Sequence, residues 1–101
     1  MKSGYKILWT DHALDELEQT FGYLQLNFSE KEIGRLAYKI ESVLQLILTF
    51  PELYPESARQ KGLRRAVITK FNTLYYRIKG DQIEILSFFS NQQNPDNLRP
   101  K

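Results

Sequence analysis

The hydrophobic pattern of this chain changes its period once, and that change limits the folds open to it. Up to about residue 49, apolar side chains recur every three or four residues, as on one face of an amphipathic helix. From residue 63 to residue 89 they alternate with polar side chains, which is typical of strands with one buried face. Helices followed by strands indicate an α+β domain in which a helical layer covers one face of a sheet.

Local signals divide the chain into six elements. Ser29 to Glu32 form a capping box, which satisfies free backbone N–H groups at a helix start, and Pro51 ends the helix that follows. Gly80-Asp81 is a two-residue hairpin turn. The predicted order is β-α-α-β-β-β, with a strand at 5–9, a helix on each side of a break at 27–29, and strands at 63–69, 72–79 and 82–89. We therefore expect a single domain in which a two-helix hairpin packs on a small, mainly antiparallel sheet.

Composition excludes several classes of site. The chain of 101 residues has no cysteine and a single histidine, His12, so we expect no disulfide, no metal centre and no cofactor. No stretch approaches the ~18 apolar residues of a membrane span, and the short apolar run at 7–9 is too brief for a signal peptide. These features predict a cytoplasmic protein with no membrane partner.

Charge is distributed unevenly along the chain, and the excess of basic residues lies in the strand-rich half. Residues 1–56 carry five basic and nine acidic side chains, whereas residues 57–101 carry nine basic and three acidic ones. We expect a basic surface that binds the target or its phosphates, formed by Arg59, Lys61, Arg64, Arg65, Lys70 and Arg77. Such a surface suits single-stranded RNA or an acidic protein helix. Because adjacent strand residues point to opposite faces, one of Arg64 and Arg65 must lie on the core side or at its rim.

The hairpin turn at Gly80-Asp81 predicts how the last two strands pair. Counting back from the turn places Tyr76 opposite Ile85 and Tyr75 opposite Leu86. On this register Phe89 lies on the core face. Tyr75, Leu86 and Phe88 share the open face, where they form an aromatic and aliphatic patch. An exposed patch of this kind on a small domain indicates a partner surface.

Several short sequences, taken together and in this order, carry a resemblance to a known family. They are Leu8-Trp9-Thr10, Ile40-Glu41-Ser42-Val43-Leu44, Phe50-Pro51-Glu52-Leu53-Tyr54-Pro55, Gly62-Leu63-Arg64-Arg65, Tyr75-Tyr76-Arg77-Ile78 and Ile83-Glu84-Ile85-Leu86. Over about residues 5–95 the chain resembles the RelE/ParE superfamily of bacterial type II toxins. We accordingly assign 1–95 to a toxin-like domain and 96–101 to a polar tail. The fold of the superfamily, two helices against an antiparallel sheet, agrees with the predicted element order.

The resemblance implies an antitoxin partner and one of two mechanisms. RelE-like toxins cleave mRNA in the ribosome, using basic residues and a proton-transferring Tyr, His or Glu near the end of the last strand. ParE-like toxins cleave no RNA and instead poison DNA gyrase. In both groups the toxin is held inactive by an antitoxin whose extended, often helical C-terminal segment wraps it, and we expect that segment to bind Tyr75, Leu86 and Phe88.

The residues at hand favour the ParE-like mechanism over the enzymatic one. The last strand is followed by Ser90, Asn91, Gln92 and Gln93, none of which titrates usefully, and pairing with Arg77 would weaken Glu84 as a base. No catalytic residue is assigned with the ParE-like mechanism. A ribonuclease would have to rely on Arg64, Arg65, Lys70, Tyr75 and Arg77. An inactive member that only binds its antitoxin stays a third alternative, because Gln92 stands near a position where a subgroup of the superfamily often has arginine.

Overall fold

The fold is seen in a computed structural model that describes residues 4–58 and 60–90. Its elements are strand β1 (Lys6–Trp9), helix α1 (Asp11–Asn27), helix α2 (Glu30–Thr49), and strands β2 (Arg64–Thr69), β3 (Asn72–Lys79) and β4 (Gln82–Ser90). This order confirms the predicted α+β arrangement. Neither helix among the described residues is long and apolar enough to cross a membrane.

Side-chain caps fix where the two helices begin. The Thr10 hydroxyl accepts the Ala13 N–H at 3.2 Å, which caps α1. The Ser29 N–H donates to the Glu32 carboxylate at 3.0 Å, so the predicted capping box is confirmed at the start of α2. The helices therefore form an antiparallel hairpin with a short connection, and both lie against one face of the sheet.

The four strands form one mixed sheet in the order β1-β4-β3-β2. β2, β3 and β4 are antiparallel neighbours, and β1 joins the far edge parallel to β4. Between the sheet and the helices lies a single core of buried side chains: Ala13, Leu24, Leu36, Ile40, Ile47, Ala66, Ile68, Leu74, Tyr76, Ile83, Ile85 and Phe88. The opposite face of the sheet has no helix over it among the described residues; we call it the open face.

A β-bulge in β4 overturns part of the predicted register. From the turn up to Tyr76 opposite Ile85 the pairing is as expected, but Tyr75 then lies opposite Ser87 and leaves Leu86 without a partner of its own. The extra residue reverses the direction of every side chain beyond it. The prediction that Phe88 lies on the open face is therefore wrong, since Phe88 is fully buried, and Phe89, expected in the core, is 48% exposed.

Candidate functional site

A groove on the open face brings several of the predicted residues together. It is open to solvent, has a volume of about 890 Å³, and lies between the sheet and the loop that follows α2. Its lining comprises Pro55, Glu56, Ser57, Ala58, Gln60, Leu63, Arg65, Tyr75, Leu86, Ser87 and Phe89. We call this site the open-face groove. Tyr75 and Leu86 of the predicted patch line it, and Phe89 takes the place that Phe88 was expected to fill.

Arg65 supplies the positive charge of the groove. Arg65 and Tyr75 are cross-strand partners on β2 and β3, so a guanidinium and a phenol ring lie side by side on the open face. Arg65 is the member of the arginine pair that faces this side. The groove therefore joins one cation to a mainly apolar floor formed by Leu86 and Phe89.

Arg64 faces the helix side, where it anchors a loop. Its guanidinium donates to the Tyr54 carbonyl at 2.7 Å and to the Glu52 carbonyl at 3.3 Å, and lies 3.8 Å from the Glu56 carboxylate. The inward arginine of the pair is expected to need a carboxylate partner or an edge position, and Arg64 has both, since Glu56 faces it and β2 is an edge strand. The Arg64 side chain is only 17% exposed and is already bound to these partners, so its contact with a target phosphate stays a prediction that this arrangement does not favour.

Tyr76 holds the same loop from the core. Its hydroxyl donates to the Pro51 carbonyl at 2.7 Å, and its ring is fully buried. Burial raises the pKa of Tyr76 from 10.0 to about 12, and the nearby Arg64 guanidinium offsets part of that increase. Arg64 and Tyr76 thus fix the chain from Pro51 to Glu56, which leads into the wall of the groove.

Three of the remaining predicted basic residues, Lys61, Lys70 and Arg77, are absent from the described lining of this groove. Lys70 stands over the Phe71 ring at 5.2 Å in the turn between β2 and β3, and Arg77 is paired with Glu84 across the β3–β4 hairpin at 2.5 Å. Lys61 is exposed in the loop before β2. Arg59 and the tail at 96–101 lie outside the described residues, as does Gln92. Among the described residues, the predicted basic side chains therefore do not converge on one point, and Arg65 is the one of them that lines the groove.

Sequence reasoning missed the outer wall of the groove and the identity of its second aromatic ring. The Pro55–Ala58 wall is held against the edge of β2 by a bridge between Glu56 and Arg64, a contact with no sequence signature. The bulge did leave a signal, because the adjacent aromatic pair Phe88-Phe89 cannot both follow a period of two. In the described part of the chain no cluster of His, Asp or Glu could hold a metal ion.

The two arginines offer a matched pair of substitutions. We expect Arg64→Ala to lower the free energy of unfolding by about 1–3 kcal/mol, because it leaves two loop carbonyls without their charged donor. Arg65→Ala should change it by less than about 0.5 kcal/mol, since the Arg65 side chain is exposed. Urea denaturation of both variants measures the difference. Equal losses of stability in the two variants would contradict the assignment of Arg64 as the loop anchor.

Several solved structures have a fold similar to that of this chain. The chain is similar to a protein of the chromosomal ParDE system from P. aeruginosa, with a TM-score of 0.72, 14% identity, and coverage of 87% of this chain and 97% of the other. It is also similar to the YoeB/ParE toxin from Agrobacterium tumefaciens, with a TM-score of 0.62, 18% identity and coverage of 85% and 98%. A chain of the DinJ–YafQ complex of E. coli gives a TM-score of 0.55, 15% identity and coverage of 90% and 98%. At these identities the likeness is one of fold.

Sequence comparison goes further than fold. No curated protein matches the chain. The family described as the ParE toxin of the type II toxin–antitoxin system parDE matches residues 7–95, which is nearly the whole of the chain and includes all of the six described elements except Lys6, the first residue of β1. The match confirms the resemblance to the RelE/ParE superfamily, and the chain belongs to the ParE toxin family of type II toxin–antitoxin systems.

Proposed function

We propose that this protein is a ParE-like toxin that binds DNA gyrase and is neutralised by a cognate antitoxin. The observation that carries the proposal is the chemistry of the open-face groove, which offers one cation, aromatic rings and aliphatic side chains. Such a surface is suited to binding a protein segment. On this proposal the protein acts in the cytoplasm, where gyrase is found, and needs no cofactor.

The groove is poorly equipped for RNA cleavage. Among the described residues that line it, the titratable side chains are Glu56, Arg65 and Tyr75. Glu56 is already engaged, since its carboxylate accepts the Gly62 N–H at 3.1 Å and faces Arg64. Attack by a 2′-hydroxyl needs one group to take a proton and another to give one. Only Tyr75 is left for both tasks, which favours a binding role.

His12 does not supply the proton-transfer group that the groove lacks. Its imidazole lies 3.3 Å from the Glu16 carboxylate on α1, and its side chain is 70% exposed. Glu16 in turn contacts β4, so His12 is nearer to the last strand than its position in the sequence suggests. It is absent, however, from the described lining of the groove.

The antitoxin is proposed to cover the open-face groove through Tyr75, Leu86 and Phe89. Arg65 at the rim suits an acidic residue of the antitoxin, and the exposed Phe89 ring suits an apolar one. Other proteins of this fold form complexes: YoeB and YefM of Staphylococcus aureus form a heterotetrameric toxin–antitoxin complex, and DinJ and YafQ of E. coli also form a complex. By analogy a complex of this kind is expected here.

One observation keeps a ribosome-dependent ribonuclease as the second candidate. Arg65 and Tyr75 are direct cross-strand neighbours, so a phosphate bound by the guanidinium would lie close to the phenol hydroxyl. In that mechanism Arg65 would bind phosphate and Tyr75 would transfer the proton, while Arg64, Lys70 and Arg77 would have no direct part, since each is engaged or lies elsewhere. A member that only binds its antitoxin is the third candidate.

Two assays on the purified protein separate these candidates. We expect inhibition of supercoiling by purified bacterial DNA gyrase, while mRNA in a translating bacterial extract stays intact. Tyr75→Phe keeps the ring and removes the hydroxyl, so it should leave gyrase inhibition within about twofold of the unsubstituted protein. Ribosome-dependent cleavage of mRNA that Tyr75→Phe abolishes would instead establish the ribonuclease. Inactivity in both assays, with tight binding of the antitoxin, would establish the third candidate.

A further inference from the structure

A carboxylate on α1 is bonded to the strand that floors the open-face groove. Oε1 of Glu16 accepts the Ser87 hydroxyl at 2.7 Å and the Phe88 backbone N–H at 2.8 Å. His12 Nε2 lies 3.3 Å from the same oxygen. The Glu16 side chain is 25% exposed and is absent from the described lining of the groove. Glu16 therefore does not line the groove itself, but it is bonded to Ser87 and Phe88 of the strand that forms the floor of the groove.

The need for this contact follows from the lengths of the strands. β1 pairs with β4 only as far as Trp9 opposite Ile85, whereas β4 continues to Ser90. Beyond Ile85 no strand in the described part of the chain lies beside the outer edge of β4. Residues at the start of α1 supply the hydrogen-bond partners of this edge instead. Thr10 donates its N–H to the Ile85 carbonyl at 3.1 Å, and Glu16 accepts the Phe88 N–H. A charged acceptor makes a stronger hydrogen bond than a backbone carbonyl does.

Thr10 and Glu16 hold β4 on the two sides of its bulge. Thr10 holds Ile85, the last residue in the register set by the turn, and Glu16 holds Ser87 and Phe88, the first two residues after the unpaired Leu86. If Ser87 and Phe88 were released, β4 could close the bulge by moving one residue along β3. Leu86 would then face Tyr75, and the side chains beyond it would exchange faces.

On these grounds we propose that Glu16 is a positioning residue: by fixing the bulge in β4, it turns Phe89, and not Phe88, into the open-face groove. The structural part of this proposal stands alone, and its consequence for binding rests on the proposed function. Without the bulge, the Phe89 side chain would point into the core. Phe88, which precedes it on β4, would point into the groove. A residue of α1, a helix that does not line the groove, thus determines which aromatic ring a partner contacts.

The register in solution tests the structural part directly. In the isotope-labelled full chain, nuclear Overhauser contacts should place Tyr75 opposite Ser87, and the Phe88 amide should exchange slowly with solvent. Glu16→Ala should raise the exchange rate of that amide by about tenfold or more and introduce contacts between Tyr75 and Leu86. Glu16→Gln keeps an acceptor oxygen and should preserve the register. Glu18→Ala removes an exposed carboxylate from the same helix and serves as the matched control.

A second variant covers the case in which Glu16→Ala does not fold. Ser87→Ala removes one of the two bonds to Glu16 and leaves the Phe88 N–H bond in place, so a smaller shift in the same direction is expected. Wild-type register and wild-type exchange of the Phe88 amide in Glu16→Ala, or in Ser87→Ala where the first variant is unfolded, would overturn the proposal.

A double-mutant cycle tests the consequence for binding. We expect Glu16→Ala and Phe89→Ala each to weaken gyrase inhibition about tenfold, and the double variant to be scarcely weaker than either, because both act through the same ring. Independent, multiplying losses would show that Glu16 does not act through Phe89 and would overturn the positioning role. If Phe89→Ala leaves inhibition unchanged, the groove is not the gyrase site, and if the unsubstituted protein does not inhibit gyrase at all, the proposed function fails. In both cases the nuclear Overhauser and exchange data still decide the role of Glu16.

Discussion

Replacing Tyr76 with alanine is expected to lower the free energy of unfolding by about 3–5 kcal/mol, because it removes a large ring from the centre of the core. Tyr76 is fully buried between the sheet and the helices, and its hydroxyl bonds to the Pro51 carbonyl. Urea denaturation followed by circular dichroism measures the loss. Tyr38→Ala is the matched control, since that ring is 74% exposed on α2 and its removal should cost less than about 0.5 kcal/mol.

Tyr76→Phe separates the ring from the hydroxyl. It keeps the packing but leaves the Pro51 carbonyl without its donor, so we expect a loss of about 1–2 kcal/mol. Should Tyr76→Ala fail to fold, this milder variant still tests the assignment. A stability equal to that of the unsubstituted chain would show that the Tyr76–Pro51 bond does not help to hold the loop.

The raised pKa of Tyr76 adds a signature at alkaline pH. The folded state holds the phenol proton up to a pKa of about 12, whereas the unfolded chain releases it near 10.0. Between these values the folded state binds more protons, so stability is intact below pH 10 and falls as the pH rises toward 12. The unsubstituted protein should therefore lose stability more steeply across this range than Tyr76→Phe, which has nothing to ionise at this position. Parallel pH profiles for the two proteins would contradict the assignment.

Leu86→Lys is expected to weaken the antitoxin complex by about 2 kcal/mol or more, which is roughly thirtyfold in affinity. Leu86 lines the open-face groove between Tyr75 and Phe89, and a lysine there would place a second cation beside Arg65 on an apolar floor. Titration calorimetry with the cognate antitoxin gives the affinity. The result bears on the interface alone, because the change lies at the surface of the sheet.

Leu26→Lys is the control for that measurement. Leu26 is the most exposed large apolar side chain in the described chain, at 86%, and it lies on α1 in the helical layer. Its substitution should leave the affinity unchanged if the antitoxin binds the open-face groove. The reverse result, a loss at Leu26 and none at Leu86, would place the antitoxin on the outer surface of the helices and leave the groove to the cellular target.

The predictions from the sequence were correct where neighbouring residues determine the strand register. They were wrong where a residue distant along the chain determines it. Gly80-Asp81 sets the β3–β4 register, so the pairing was correct from the turn to Tyr76 and Ile85. Beyond that point the register depends on Glu16, which is 71 residues from Ser87 along the chain. No local pattern reports such a contact, and for this reason Phe88 and Phe89 were assigned to the wrong faces.

The orientation of the pair Arg64 and Arg65 could also be predicted only in part from the local pattern. Strand alternation required Arg64 and Arg65 to point to opposite faces, and they do. Which of them points inward depends on the loop carbonyls of Glu52 and Tyr54, and these reach β2 only after the loop has packed against its edge. The family and the element order could thus be predicted, whereas the face on which each of these side chains lies depends on contacts between distant residues.

The position of β4 in the sheet has a consequence for how the toxin is made. β4 is the last of the six elements along the chain, yet it lies between β1 and β3, so it joins the first strand to the hairpin. Closing the contact between Lys6 and Gln82 requires nearly the whole chain to be present, and contacts between such distant residues form slowly. A chain that ends before residue 82 therefore has no assembled groove, because Leu86, Ser87 and Phe89 of β4 line it. During synthesis the open-face groove forms only after β4 has been added.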